Sequence, residues 1–269
     1  MPKPRTETGP ARTAEFQVRR EAAYLANARS LAHIARSVYS DEPIKDFPVL
    51  RNVFDRLITL RGDRVFGLVA ANGRDVVVTF RGRDDEQQLV ESLAYGQTDW
   101  VRGRAHSGIV KLLESIWPKI LAAFFDVAAH DKTLWLTGHS LGGSLAMLAA
   151  QRLASEGFDP HMVVTFGAPR VLDTVATAAF PAPLYRFVNN EDAVPNIPWP
   201  TLFDTYAHAG EEVFLLPSGD IAAARHSTHL ARKLDRAHHI GEGIFPSGPV
   251  HDHAMDEYVR KLVQYVETR

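Results

Sequence analysis

Apolar positions first recur at helical spacing at Ala23, Leu25, Ala26, Leu31, Ile34, Ala35 and Val38, which predicts an amphipathic helix over about 16–40. The period then shortens. Residues 64–70 and 75–80 are β-rich runs on either side of Ala71-Asn72-Gly73-Arg74, and Asn-Gly between such runs predicts a hairpin. A polar segment, 81–104, carries a short apolar stripe at Leu89, Val90, Leu93 and Ala94. Ile109, Leu112, Leu113, Ile116, Ile120 and Phe124 then share one side of a helix predicted over about 107–128.

From there strand and helix signals alternate. Strands are expected at 133–137, 162–166 and 184–188, with a helix running to about 154 and a looser one near 172–178. Apolar strands separated by helices imply an α/β fold: a mostly parallel central sheet with helices on both faces and right-handed crossovers. Residues 212–216, broken by Pro217-Ser218-Gly219-Asp220, predict an added antiparallel pair, and a last helix is expected near 252–267. Residues 1–14, rich in Pro, Thr and charge, are expected to be a flexible tail, and 15–269 a single domain, since no repeat or linker divides them.

The 269 residues can bury a sizeable core, and 45% hydrophobic with 23% charged is ordinary for a globular protein. A formal net charge of -2 offers nucleic acid no bulk attraction, so no such partner is expected. With no cysteine, disulfides, thiolate metal sites and a cysteine nucleophile are excluded. The first twenty residues have no apolar h-region and no stretch is long enough to span a bilayer, so the expectation is a cytoplasmic protein whose lipid contact is peripheral.

The candidate chemistry centres on Gly138-His139-Ser140-Leu141-Gly142, followed by Gly143. A buried strand enters this motif, and Leu141, Leu145, Leu148, Ala149 and Leu153 leave it at helical spacing. A turn that tight strains the backbone at the serine and excludes side chains two residues to either side. It lifts the Ser140 hydroxyl above the sheet and aims the N–H of Leu141 at a developing oxyanion.

Several blocks together resemble the class 3 (fungal-type) triacylglycerol lipases, a family of α/β-hydrolase fold. They are the elbow itself, Val77-Val-Thr-Phe-Arg-Gly82, Ala105-His-Ser-Gly-Ile109, Thr165-Phe-Gly-Ala-Pro-Arg-Val171, Tyr185-Arg-Phe-Val-Asn-Asn-Glu-Asp-Ala-Val-Pro195 and Asp252-His-Ala-Met-Asp-Glu-Tyr258. The resemblance implies a serine ester hydrolase acting on lipid or small esters, with no cofactor and no metal.

A serine nucleophile needs a base, and the base needs an acid, in the chain order Ser, Asp or Glu, His for this fold. Asp192, just past the 184–188 strand, is the expected acid, and the resemblance selects it too. Of its rivals, Asp173 reads as a helix cap or surface acid, and Glu191 is one residue out of place. Seven histidines follow Asp192, at 208, 226, 229, 238, 239, 251 and 253, and spacing does not choose among them. The resemblance favours His253, with His251 next, and His208 reads as structural. His226-x-x-His229 and His251-x-His253 are conceivable zinc ligands, but the chain has neither Cys nor a His-Glu-x-x-His helix.

The second oxyanion donor should follow the 76–80 strand. The family usually places Ser or Thr there, but this chain has Arg83, which leaves only a backbone N–H. The segment 84–104 occupies the place of the family's lid, and its stripe reads equally as a mobile amphipathic lid or a packed helix. Pro195 to Pro200, with Leu202 and Phe203, is a candidate wall for an acyl pocket. Alternatives to a triacylglycerol lipase are a phospholipase or small-ester carboxylesterase and, in a different class, a non-catalytic lipase-like binding module.

Overall fold

The structure is a computed structural model that describes residues 24–40, 47, 49–82, 96–198, 205–222 and 250–268. The first helix, α1, is Tyr24–Ser37, and a short helix, α2, is Val49–Val53. Three strands follow: β1 Arg56–Arg61, β2 Phe66–Ala71 and β3 Asp75–Phe80. The Asn-Gly turn joins β2 to β3 antiparallel, with Ala71 opposite Val76. Asn72 shapes the turn by accepting hydrogen bonds from the N–H groups of Arg74 and Asp75.

Residues 97–106, at the end of the expected lid region, form a separate ribbon, β4 Gln97–Asp99 with β5 Arg104–His106. Next come α3 Ser107–Asp126, β6 Thr133–His139, α4 Leu141–Ser155, β7 Pro160–Phe166, α5 Thr174–Ala178 and β8 Leu184–Asn189. Strands β9 Glu211–Leu215 and β10 Ile221–Ala222 and helices α6 Val250–His253 and α7 Met255–Glu267 complete the order.

The main sheet has the order β1-β2-β3-β6-β7-β8-β9-β10. Strands β3, β6, β7, β8 and β9 are parallel, flanked by antiparallel strands at both edges. Each central strand is buried on both faces, as parallel strands under helices must be. Val76, Val78, Phe80, Leu134 and Leu136 pack with Ile109, Leu113, Ile120, Leu145 and Leu148 from α3 and α4. Val77, Trp135, Val164, Phe166 and Phe187 face the other way, toward Leu31 and Ala35 of α1 and Tyr258 and Leu262 of α7. Small residues on α1, Ala28, Ala32 and Ala35, let it lie close to the sheet.

Beyond the short α2 helix and the β4–β5 ribbon, which were not expected, three features depart from the sequence reading. Strand β1 was not anticipated: its arginine-ended, half-exposed pattern suits an edge strand and shows no clean alternation. The expected antiparallel pair is only half so, because β9 runs parallel to β8, with Tyr185 opposite Glu211, and only β10 turns back. The Pro217–Asp220 turn is legible locally, whereas the direction of β9 is set by the long connection after β8. The terminal helix is interrupted at Ala254, whose extended backbone (φ −62°, ψ 131°) separates α6 from α7. The expected N-terminal tail, the whole lid stripe, Arg83, residues 199–204 and the histidines at 226, 229, 238 and 239 lie outside the described residues.

Candidate active site

The parallel strands β6, β7 and β8 end together, and each delivers one part of the site. Strand β6 runs into α4 through Ser140, whose backbone (φ 56°, ψ −131°) lies in a region that a side chain rarely adopts. The flanking glycines make the turn possible. A Cβ on Gly142 would overlap the carbonyl of Phe80, and one on Gly138 would overlap the main chain of Gly142. Ser140 donates its N–H to the carbonyl of Phe166 (2.9 Å), which fastens the elbow to the end of β7. Leu141 is the first residue of α4, so its N–H belongs to the helix-start donors that lack an intrahelical acceptor.

From the end of β8 comes Asp192, almost wholly buried, and from the end of α6 comes His253. The two carboxylate oxygens of Asp192 both lie 3.0 Å from His253 Nδ1. A carboxylate only accepts, so Nδ1 carries the proton and Nε2 is left with a lone pair. Asp192 Oδ1 also accepts from the N–H of Val194 (3.0 Å), and Oδ2 accepts from the hydroxyl of Tyr258 (2.5 Å). Gly167, at φ +56°, makes room for this pair: a Cβ there would come within 2.7 Å of Asp192 Oδ2 and 3.0 Å of His253 Nδ1.

Ser140 Oγ and His253 Nε2 are buried, and neither has a hydrogen-bond partner among the described residues. The link between the elbow and the histidine instead runs through the neighbouring residue, His139. Its Nε2 donates to the backbone carbonyl of His253 (2.6 Å), and the two rings lie 4.6 Å apart, centroid to centroid.

His251 goes elsewhere. Its side chain is 69% exposed against 14% for His253, and its ring nitrogens face Asp252 and Glu257 at 3.9 and 3.6 Å. His208 Nε2 meets the Pro195 carbonyl (2.7 Å), a structural contact. Asp173 caps α5 by accepting from the N–H of Ala176 (2.7 Å). No group of three or more potential metal ligands occurs among the described residues, and no described helix is long and apolar enough to cross a membrane. The Pro-rich loop after Asp192 begins as a 3₁₀ turn, Val194–Asn196, and Arg170 holds it by donating to the carbonyls of Asn196 and Pro198.

Two neighbours of the site were not singled out from the sequence. Tyr258 is fully buried, accepts from the N–H of Asn189 (3.0 Å) and donates to Asp192; burial, and then the Asp192 charge, push its phenol well above the usual tyrosine range. Lys261 donates to the side chain of Asn189 (2.5 Å), whose amide donates in turn to the Asp252 carbonyl (2.8 Å). The loop that carries His253 is thereby pinned to the end of β8. The spacing of Tyr258 and Lys261 on one face of α7 shows that the face is buried but not what its polar tips meet.

A family model described as "Lipase (class 3)" matches residues 77–202, somewhat less than half of the chain and a span holding the end of β3, Ser140 and Asp192. Over that span the chain is similar to the class 3 lipases. Among similar proteins, "Secreted mono- and diacylglycerol lipase 1" of Fusarium solani is 32% identical over 154 residues, covering 53% of this chain and 44% of that one. "Phospholipase A1-Igamma2, chloroplastic" of Arabidopsis thaliana is 31% identical over 160 residues, covering 46% of this chain and 30% of the relative. The chain thus spans less than half the length of these relatives. A solved structure of the Rhizomucor miehei triacylglyceride lipase superposes with a TM-score of 0.65 at 18% identity, covering 87% of this chain and 94% of that one. At that identity the likeness speaks to the fold, which is the α/β-hydrolase fold.

Proposed function

We propose that this protein is a class 3 lipase that hydrolyses carboxylic esters of lipids, acylglycerols foremost, through a serine acyl-enzyme. The observation that carries the reading is the buried Asp192 carboxylate gripping His253 Nδ1 beside a serine held in a strained elbow. In this mechanism His253 Nε2 takes the Ser140 proton as Oγ attacks the ester carbonyl. The N–H groups of Leu141 and Arg83 receive the oxyanion, and Asp192 stabilises the imidazolium. His253 then returns the proton to the leaving alcohol. Water, deprotonated by the same nitrogen, releases the acid and restores Ser140. The reaction as written needs no cofactor.

The test is hydrolysis of p-nitrophenyl esters. Ser140→Ala should lower turnover by on the order of a million-fold while the protein stays folded, and His253→Ala should be similarly damaged. His251→Ala should behave as the parent, since its ring faces solvent and two acids. Near-parental turnover by Ser140→Ala would sink the proposal. No turnover by the parent would instead leave the non-catalytic binding module, which fluorophosphonate labelling of Ser140 separates from an enzyme.

The likeness to phospholipase A1 proteins of Arabidopsis and rice favours a second reading, with a phospholipid as the ester. Acylglycerols and phospholipids of graded chain length, dissolved and as emulsions, distinguish the two. A rise in rate at the emulsion surface would identify the peripheral lipid contact.

A further inference from the structure

The ester mechanism uses Ser140, His253 and Asp192 but leaves the residue inside the elbow, His139, without a task. Its ring is buried against Tyr39 at 5.6 Å and His253 at 4.6 Å. Both nitrogens are engaged, and the direction of every bond in the chain follows from what each group is able to do. The His253 carbonyl only accepts, so His139 Nε2 carries the proton. The ring is neutral: burial pushes it well below the usual histidine range, helped by the nearby His253 and opposed by the bond to that carbonyl. Nδ1 therefore accepts, and its partner at 2.6 Å, the Tyr39 hydroxyl, donates. The same hydroxyl accepts the N–H of Gly82 at 3.2 Å.

The result is a one-way chain, Gly82 N–H to Tyr39 Oη–H to His139 Nδ1, then His139 Nε2–H to the His253 carbonyl. One end lies on the residue before Arg83, where the second oxyanion donor is placed. The other end lies on the main chain of the residue that carries the base. Arg81, on the same loop, also sets its guanidinium over the Tyr39 ring (5.6 Å).

We propose that Tyr39 and His139 are a positioning pair that holds the loop after β3 and the backbone of His253 in register across Ser140; this rests on the ester-hydrolase reading above. Neither side chain takes part in bond making. Because His139 stays neutral, it does not compete for the proton that His253 gains during attack. Loss of either link frees the base-bearing loop, or the oxyanion loop, to drift relative to the serine. A displacement of about 1 Å costs a reacting group on the order of 100-fold in rate.

The test compares Tyr39→Phe, which removes one oxygen, with His139→Gln, which keeps an N–H donor near the Nε2 position, and His139→Leu, which keeps none. The readouts are kcat and KM on a short p-nitrophenyl ester, the rate of fluorophosphonate labelling, and the melting temperature. Tyr39→Phe and His139→Leu should lose kcat and labelling rate together, on the order of 10- to 100-fold, with KM unchanged. His139→Gln should recover most of the loss. Parental labelling and kcat in Tyr39→Phe and His139→Leu would overturn the pairing. So would equal damage in Gln and Leu that tracks a fall in melting temperature, which marks a purely structural role. Failure of the function reading looks different, since Ser140→Ala would then turn over ester and leave the probe binding elsewhere.

Discussion

Asp192 is a buried charge surrounded by donors. His253 Nδ1–H, the Val194 N–H and the Tyr258 hydroxyl approach its two oxygens, and all three fix the plane of the carboxylate. Removing the Tyr258 oxygen leaves a buried, charged acceptor one partner short, which typically costs about 1.5–3 kcal/mol. Tyr258→Phe is therefore expected to unfold in urea with a free energy lower by about that amount. Its ester turnover should fall by less than that of any change at Asp192 itself, since the His253 contact remains. A variant as stable as the parent would show that the phenol contributes nothing to holding the acid. This residue also marks where sequence reading ran out. The pairing of Asp192 with His253 could be anticipated: position after β8 and the family resemblance both point to Asp192, whereas the resemblance alone selects His253. The Tyr258 contact spans 66 positions and exists only because α7 docks against β8, so nothing near Tyr258 in the chain announces it. His139 was equally opaque, standing at an unconstrained position of the Gly-x-Ser-x-Gly pattern.

At the scale of elements, the turn from β6 into α4 depends on main chain approaching main chain. Gly142 lies against the end of β3, and an added methyl there would meet the Phe80 carbonyl, which has no freedom to give way. Gly157, just past the end of α4, is a contrasting case: its φ is +91°, yet nothing lies within 4 Å of a Cβ built on it. Gly157→Ala should cost about 1–2 kcal/mol for the left-handed backbone alone. Gly142→Ala should cost more than about 4 kcal/mol or yield no soluble protein. Urea unfolding of the two variants checks the contrast, and comparable losses would mean that the elbow accommodates the methyl by shifting. Strands β2, β3, β6, β7 and β8 and the helices between them were readable because period, turn residues and length agreed, whereas the three-residue strands β4 and β5 are too short to show a period. The parallel direction of β9 and the break at Ala254 were not readable: one is set by a long connection, the other by how the His253 loop is pinned through Asn189 and Asp252.

For the molecule as a whole, a buried histidine and a half-buried one make stability depend on pH. His139 is held well below its ordinary value of 6.5 mainly by burial, and His33 on α1 is lowered as well, by burial and by Arg29 and Arg36. Each takes up a proton more readily when unfolded, so its contribution is complete above about pH 6.5 and is lost as pH falls from there through its lowered folded value. Urea midpoints at about pH 7.5 and 5 should therefore separate more in the parent than in His139→Gln, which lacks that group. Equal separation would mean that His139 binds its proton as easily folded as unfolded.

His253 is held beside Asp192 because α7 and the short helix before it are strapped across the sheet. Much of that strap is α1, which α7 lies against and which it joins through the pair of Arg36 with Asp256, 220 positions apart. Tyr39, the far anchor of the chain of bonds to His253, hangs from the end of the same helix. The opening and closing portions of the polypeptide thus act as one buckle over its middle. Any cut, misfolding event or antibody that loosens α1 would switch off a hydroxyl about a hundred residues away without ever touching it.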